Sequence, residues 1–183
     1  MDQIKLAVDL DNVCADFCKG FIEVLGIEPL RMDIPRLEDM FPHVDPHDLS
    51  MVAQSPYTYM NLEPLMGAAS NLHWFVEMGV YIEYITARPN SCDDVSRNWL
   101  KAHGFPYPDR VVIPEGNKVD YIKAQGFTAA IDDIPDVLNQ LFMFVPALYL
   151  FDHPWNQGDG PYSRVSSWFE FFKTFRMEVM LNA

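Results

Sequence analysis

The chain has 183 residues, 49% apolar and 14% aromatic, with 26 acidic against 13 basic side chains and a formal net charge of −13. That length suits one domain with room for an insertion, and the apolar share excludes an intrinsically disordered chain. The acidic balance argues against a nucleic-acid backbone or an anionic membrane surface as partner, because both would be repelled. A small anionic substrate stays open wherever a metal or local basic groups reverse the field.

Residues 4–10 form a short β-rich run flanked by polar residues and read as a buried strand. Residues 15–25 then alternate apolar and polar positions at helical spacing. Between 26 and 64 the texture changes: Pro29, Pro35, Pro42, Pro46, Pro56 and Pro64 punctuate short segments, as in an insertion of short helices and turns. Residues 68–78 read as a helix capped by Gly79, 80–86 as a second strand stopped at Arg88-Pro89, and 92–103 as a helix ended by Gly104. A third strand follows at 111–113, a helix at 118–124 before Gly126, and a fourth strand at 128–131. A helix at 135–141, a fifth strand at 147–151 and an amphipathic helix at 165–180 complete the chain. This alternation predicts an α/β fold, a Rossmann-like parallel sheet of about five strands with helices on both faces and a small helical cap inserted after the first strand.

Cys14, Cys18 and Cys92 are odd in number and lack CxxC spacing, so neither a disulfide framework nor a zinc site is expected, and a reducing, cytoplasmic setting fits. Cys14 and Cys18, four apart, are expected on one helix face. The apolar runs at 4–10 and 141–151 are too short for a signal core or a membrane span. The histidines show no metal-binding spacing; His43 and His47 fall on the expected surface of the insertion, and His153 beside Asp152 at the rim of the sheet.

The chemistry concentrates at strand ends. Asp9 and Asp11 close the first strand, Thr86 the second, and Asp132-Asp133 the fourth, and the crevice beyond the carboxyl ends of parallel strands is the usual ligand site. Carboxylates gathered there repel one another, and oxygen ligands of this kind suit Mg²⁺. Lys118, at the start of a helix, can reach the same rim as a point charge. Of the Asp9-x-Asp11 pair, one carboxylate can attack a phosphoryl group while the other handles protons.

DLDNVCADF at 9–17, ITARP at 85–89, Lys118 and IDDIPD at 131–136 resemble, in order and spacing, the four motifs of the haloacid dehalogenase-like phosphohydrolases. VCADF after the first motif, YMNLEPLMGA at 59–68, FDHPWN at 151–156 and RVSSWFEF at 164–171 resemble, more narrowly, the 5′(3′)-deoxyribonucleotidase family, cytosolic type C. The resemblance implies a phosphomonoesterase acting on (deoxy)nucleoside monophosphates through an aspartyl-phosphate on Asp9. Asp11 would be the acid and then the base. Mg²⁺ would be held by Asp9, the backbone carbonyl of Asp11, and Asp132 and/or Asp133. Thr86, Ala87 and Lys118 would bind phosphate, and Phe17 and Tyr59 would line the nucleoside pocket. Residues 1–17 with 65–183 would form the core, and 18–64 the cap.

Three departures stand beside the match. Asn12 occupies a position where glycine is commoner in the nucleotidases. Thr86-Ala87-Arg88 replaces Thr-Ser, so Arg88 either contacts phosphate in compensation or pairs with a carboxylate. Lys123 competes with Lys118 for the phosphate-binding role; the loop 114–117 ahead of Lys118 favours the latter. Phosphotransfer to an alcohol, another small phosphoester and a non-catalytic phosphate-binding module are the alternatives. The aromatic stripe Trp168, Phe169, Phe171, Phe172 and Phe175 reads as core packing whose exposed remainder could support a homodimer.

Overall fold

Six strands, β1 (Lys5–Val8), β2 (Tyr81–Ile85), β3 (Val111–Val112), β4 (Ala129–Asp132), β5 (Ala147–Phe151) and β6 (Ser163–Val165), pair in parallel in the order β3-β2-β1-β4-β5-β6. They are seen in a computed structural model that describes residues 3–33 and 36–180; Pro35, one of the prolines that mark the insertion, lies outside the described residues. The helices are α1 (Phe17–Leu25), α2 (Leu37–Met40), α3 (Pro46–Gln54), α4 (Pro56–Met60), α5 (Ala68–Glu77), α6 (Asp93–Ala102), α7 (Lys118–Gln125), α8 (Pro135–Leu141) and α9 (Trp168–Phe175).

The period of two along each strand decides which layer each residue joins. Leu6, Val8, Ile82, Tyr84, Ala129, Ile131, Tyr149 and Phe151 point to one face, where α5, α6 and α9 supply Leu72, Phe75, Trp99, Leu100, Trp168, Phe171 and Phe175. Ala7, Ile85, Ala130, Leu148 and Leu150 point to the other, covered by Val119 and Ile122 of α7 and Leu138 and Leu141 of α8. Each fully buried aromatic or aliphatic side chain in these layers contributes about 1.5–3 kcal/mol over leaving it exposed. Of the terminal aromatic stripe, Trp168, Phe171 and Phe175 are buried in the core while Phe169 is exposed.

From β1 the chain steps to β2 and β3 on one side, then crosses to β4, β5 and β6 on the other. The gap between β1 and β4 is therefore the switch point where parallel sheets open a crevice. Helices α1 to α3 have a hydrophobic cluster of their own, Cys18, Phe21, Met40, Phe41 and Leu49, into which Trp155 packs, whereas Tyr59 of α4 joins the main core. Two buried indoles hold the segments that flank these helices to the core: Trp168 Nε1 donates to the Val13 carbonyl and Trp99 Nε1 to the Leu62 carbonyl, each at 2.7 Å.

Four expectations need correction. The sheet has six strands among the described residues, because Ser163–Val165 pairs with the edge of β5. A three-residue edge strand, SRV, carries too little alternation to show in the sequence. The final helix accordingly begins at Trp168, capped by the Ser167 side chain, and ends at Phe175 in a wider turn over Arg176–Met180. Helix α1 starts at Phe17, because Asp16 caps it by accepting from the Lys19 N–H. Cys14 therefore precedes the helix and joins the main core, whereas Cys18 joins the cluster of the insertion. No helix among the described residues is long and apolar enough to cross a membrane.

Candidate active site

After β1 the backbone coils tightly. The Asn12 N–H donates to the Ala15 carbonyl at 2.7 Å, and the N–H groups of Cys14 and Ala15 both return to the Leu10 carbonyl at 2.8 and 2.9 Å. Asn12 adopts φ +58°, in the left-handed region that glycine enters freely and asparagine tolerates. This accounts for asparagine at a position where glycine is commoner. The side chain adds what glycine lacks: Oδ1 accepts from the Cys18 N–H at 3.0 Å and Nδ2 donates to Asp133 Oδ2 at 3.3 Å.

Asp9 emerges from this coil nearly buried, its own N–H held by the Ile131 carbonyl at 3.1 Å. Lys118, the first residue of α7, places Nζ 2.6 Å from Asp9 Oδ1 and 2.7 Å from Asp132 Oδ2. One ligand oxygen each of Asp9, Asp132 and Asp133 lies within 4.8 Å of the others, all three residues being buried. Burial pushes the Asp9 carboxyl up to about 7; Lys118 opposes this, and Asp132 and Asp11 add to it. Burial, with Asp132 and Asp9 nearby, likewise holds Asp133 well above the usual carboxylate range. Lys118 is raised despite its burial, because the charges of Asp132 and Asp9 outweigh desolvation. Lys123 is not at this site; its ammonium lies 4.6 Å over the Phe144 ring.

Lys118 owes its position to a helix start. Asn117 caps α7, its side-chain oxygen accepting from the Val119 N–H at 2.9 Å. Asn117→Ala is expected to lower the unfolding free energy by about 1 kcal/mol in a urea titration. An unchanged midpoint would show that the lysine is held without the cap.

Thr86 and Arg88 follow β2. Thr86 is buried, and its hydroxyl oxygen accepts from the Arg88 N–H at 3.2 Å, which leaves its proton to donate. Arg88 resolves the alternatives left by the sequence: it pairs with a carboxylate. Its Nη2 lies 2.6 Å from Asp11 Oδ1, and its Nε lies 3.1 and 3.0 Å from Asp11 Oδ1 and Oδ2. The Asp11 side chain is thus held by the arginine that follows β2 and is not one of the three clustered carboxylates.

Asp9, Asp11, Asn12, Thr86, Ala87, Lys118, Asp133 and Ile134 form the floor of a cavity of about 270 Å³, and Phe17, Cys18, Leu37, Met40 and Trp155 form its apolar wall. Phe17 is among the lining residues. Tyr59 is not among the lining residues: it is buried one layer back, stacked on Phe17 with ring centroids 5.7 Å apart, its hydroxyl donating to the Ala53 carbonyl at 2.6 Å. The aromatic residue was legible but its depth was not, since depth depends on how α4 packs. Cys18 faces the cavity as a neutral thiol, pushed up to about 12 by burial and by Asp133.

Sequence reasoning gave no role to Trp155. It comes from the turn after β5, stacks on His153 with ring planes 6° apart, and donates Nε1 to Asp133 Oδ2 at 3.2 Å. His153 itself is joined to the Asn12 carbonyl at 2.6 Å, within the β1 coil. Asn156 completes the turn by donating to the carbonyls of Asp133 and Phe151, both at 2.8 Å, and Arg164 of β6 grips it from outside. The signal available in the sequence was the run Pro154-Trp155-Asn156 directly after a strand, which carries part of the family resemblance but was given no role of its own.

The donor set fits a divalent cation. Three clustered carboxyl groups with a fourth nearby outnumber the two cationic side chains beside them, Lys118 and Arg88. An oxygen-only donor set favours a hard ion, and such an ion would return the raised carboxyls to their charged form.

A parallel sheet in this strand order, with acidic residues at the ends of β1 and β4, a threonine after β2 and a lysine opening α7, defines the haloacid dehalogenase-like hydrolase class. The fold agrees with two solved structures of that class. A hydrolase of Deinococcus radiodurans R1, crystallised with phosphate and sodium, superposes with a TM-score of 0.63 at 14% identity, covering 96% of each chain. A haloacid dehalogenase-like protein of Streptococcus pneumoniae gives 0.64 at 16% identity, over 94% of this chain and 98% of that one. Residues 2–179 match the family described as 5′ nucleotidase, deoxy (pyrimidine), cytosolic type C, and the chain belongs to that family. A provisionally named nucleotidase of Oceanobacillus iheyensis is 27% identical over 110 residues, a match spanning 58% of this chain and 58% of that protein.

Proposed function

We propose that this chain is a Mg²⁺-dependent phosphomonoesterase that dephosphorylates nucleoside monophosphates, deoxynucleotides among them. The observation that carries the reading is Asp9, buried at the β1/β4 switch point against Lys118 and two further carboxylates, at the floor of a cavity with an apolar wall. Family membership supports the same chemistry.

In this reading the phosphate lies against the free oxygen of Asp9 with Lys118 beside it, and the Thr86 hydroxyl and the Ala87 backbone complete the cradle. Asp9 Oδ2, the oxygen that Lys118 does not take, attacks phosphorus. The bond to the nucleoside oxygen breaks, and Asp11 supplies the proton that oxygen needs. Water, deprotonated by Asp11, then attacks phosphorus and returns Asp9 with release of phosphate. Mg²⁺ held by Asp9, Asp132, Asp133 and the Asp11 carbonyl would neutralise charge on the phosphoryl oxygens. Phe17, Met40 and Trp155 face the nucleoside, and residues 18–64 act as the cap that keeps bulk water away. The family description and the acidic, disulfide-free sequence support a cytosolic setting.

The test is phosphate release from nucleoside and deoxynucleoside monophosphates, with sugar phosphates alongside. Preference for the nucleotides is expected; release from sugar phosphates alone would keep the chemistry and discard the nucleoside. Chelation should reduce release to background and Mg²⁺ should restore it. In thermal denaturation, Mg²⁺ at a hundred times its dissociation constant should stabilise the fold by about 2.7 kcal/mol. Turnover and melting indifferent to chelation would remove the metal from the scheme.

A further inference from the structure

Arg88 lies in the second motif, yet the phosphate rim is not where its guanidinium goes. Its side chain is completely buried, and four of its hydrogen bonds run to two partners. Three go to the Asp11 carboxylate; the fourth, from Nη1, reaches Ser96 Oγ at 3.0 Å, and that hydroxyl donates to the Cys92 carbonyl at 2.7 Å. The Tyr59 ring lies 4.4 Å from the guanidinium carbon and seals that face from solvent. Tyr59 stacks in turn on Phe17, which lines the cavity, and is fixed by its hydroxyl to the Ala53 carbonyl of α3.

We infer that Arg88 is a positioning residue that acts through Asp11, fixing which carboxylate oxygen handles the proton, and that Tyr59 ties this orientation to the seating of the helical insertion. Asp11 Oδ1 accepts from both Nη2 and Nε, whereas Oδ2 takes only a share of Nε. Oδ2 therefore keeps a lone pair that can carry the proton given to the leaving oxygen and, once that proton is gone, take one from the attacking water. A planar fork held at three points sets the plane of the carboxylate, which a lysine ammonium cannot do. Tyr59 stacks against both the guanidinium and Phe17, so a shift of α4 would move the proton-handling group together with the pocket wall. The inference rests on the proposed phosphoester chemistry and adds to it the residue that aims the acid.

The experiment compares the parent with Arg88→Lys, Asp11→Asn and the double variant, measuring kcat, KM and inhibition by inorganic phosphate. Asp11→Asn should lower kcat by about 10²- to 10⁴-fold. Arg88→Lys keeps the charge but loses the fork, and should lower kcat on the order of 10²-fold while KM and phosphate inhibition stay at the parent values. The double variant should be no slower than Asp11→Asn alone, because the arginine then has nothing left to aim. Tyr59→Leu, which removes the ring, should lower kcat in the same direction by a smaller factor. Loss of phosphate inhibition in Arg88→Lys would make the arginine a direct phosphate ligand and overturn the inference. So would single effects that multiply in the double variant, which would make the residue purely structural. A parent that releases phosphate from no ester would overturn the proposed function, and the inference with it; an active parent with either of those two results overturns the inference alone.

Discussion

Asp9→Asn is expected to abolish phosphate release, by a factor on the order of 10⁶ in kcat, while leaving the fold intact. An amide cannot supply the anionic oxygen that attacks phosphorus. The native fold persists because the substitution removes a charge the site holds at a cost: burial raises Asp9 to about 7, and Asp132 and Asp11 push the same way. Lys118 loses one carboxylate partner but keeps Asp132 at 2.7 Å. Unfolding free energy should therefore stay within about 1 kcal/mol of the parent in a urea titration. Turnover near the parent rate would refute the nucleophile assignment. Lost turnover with a collapsed midpoint would show instead that Asp9 is structural.

Lys118→Met should have the largest effect on stability. The ammonium is nearly buried between Asp9 and Asp132, whose side chains are 7% and 3% exposed. Removing it strands two buried carboxylates with no cation between them, a change that costs about 3–5 kcal/mol. The cost should be greatest in chelator and smaller in Mg²⁺, because a bound cation would supply part of the missing charge. Turnover should fall as well, by roughly 10²- to 10³-fold, since a charge facing the phosphoryl oxygens is gone. A midpoint equal to the parent's in chelator would mean that the carboxylates had taken up protons at little cost and that the lysine is dispensable to the fold. The contrast with Asp9→Asn separates the two halves of the pair: one variant relieves charge crowding and the other creates it.

The sequence was most informative where local rules and the global fold agree. The short apolar, β-rich runs KLAV and ALYLF, the helix stops at Gly79, Gly104 and Gly126, and the alternation of strand and helix outside the insertion were enough for a parallel sheet with helices on both faces. Because parallel strands all end on the same side, the same pattern puts Asp9, Thr86 and Asp132-Asp133 on one rim. The preference for Lys118 over Lys123 came from the loop ahead of it, and the structure sets those two lysines in quite different surroundings.

Tertiary packing decided the rest, because it depends on pairs of residues far apart in the chain. Ser163–Val165 is a strand only by virtue of its pairing with β5, and its three residues hold no periodic signal of their own. Tyr59 and Phe17 are both aromatic and both belong near the pocket, but the seat of α4 makes one a lining residue and the other its support. Arg88 had two chemically reasonable partners; the burial of its guanidinium beside Asp11 settled the choice, since a buried cation takes the carboxylate that satisfies its fork. Trp155 reaches Asp133 only after the turn beyond β5 folds back over the β1 coil. The chain thus carried its class and the candidate residues of its site in local pattern and strand order, while orientation and depth came from contacts that only the packed molecule makes.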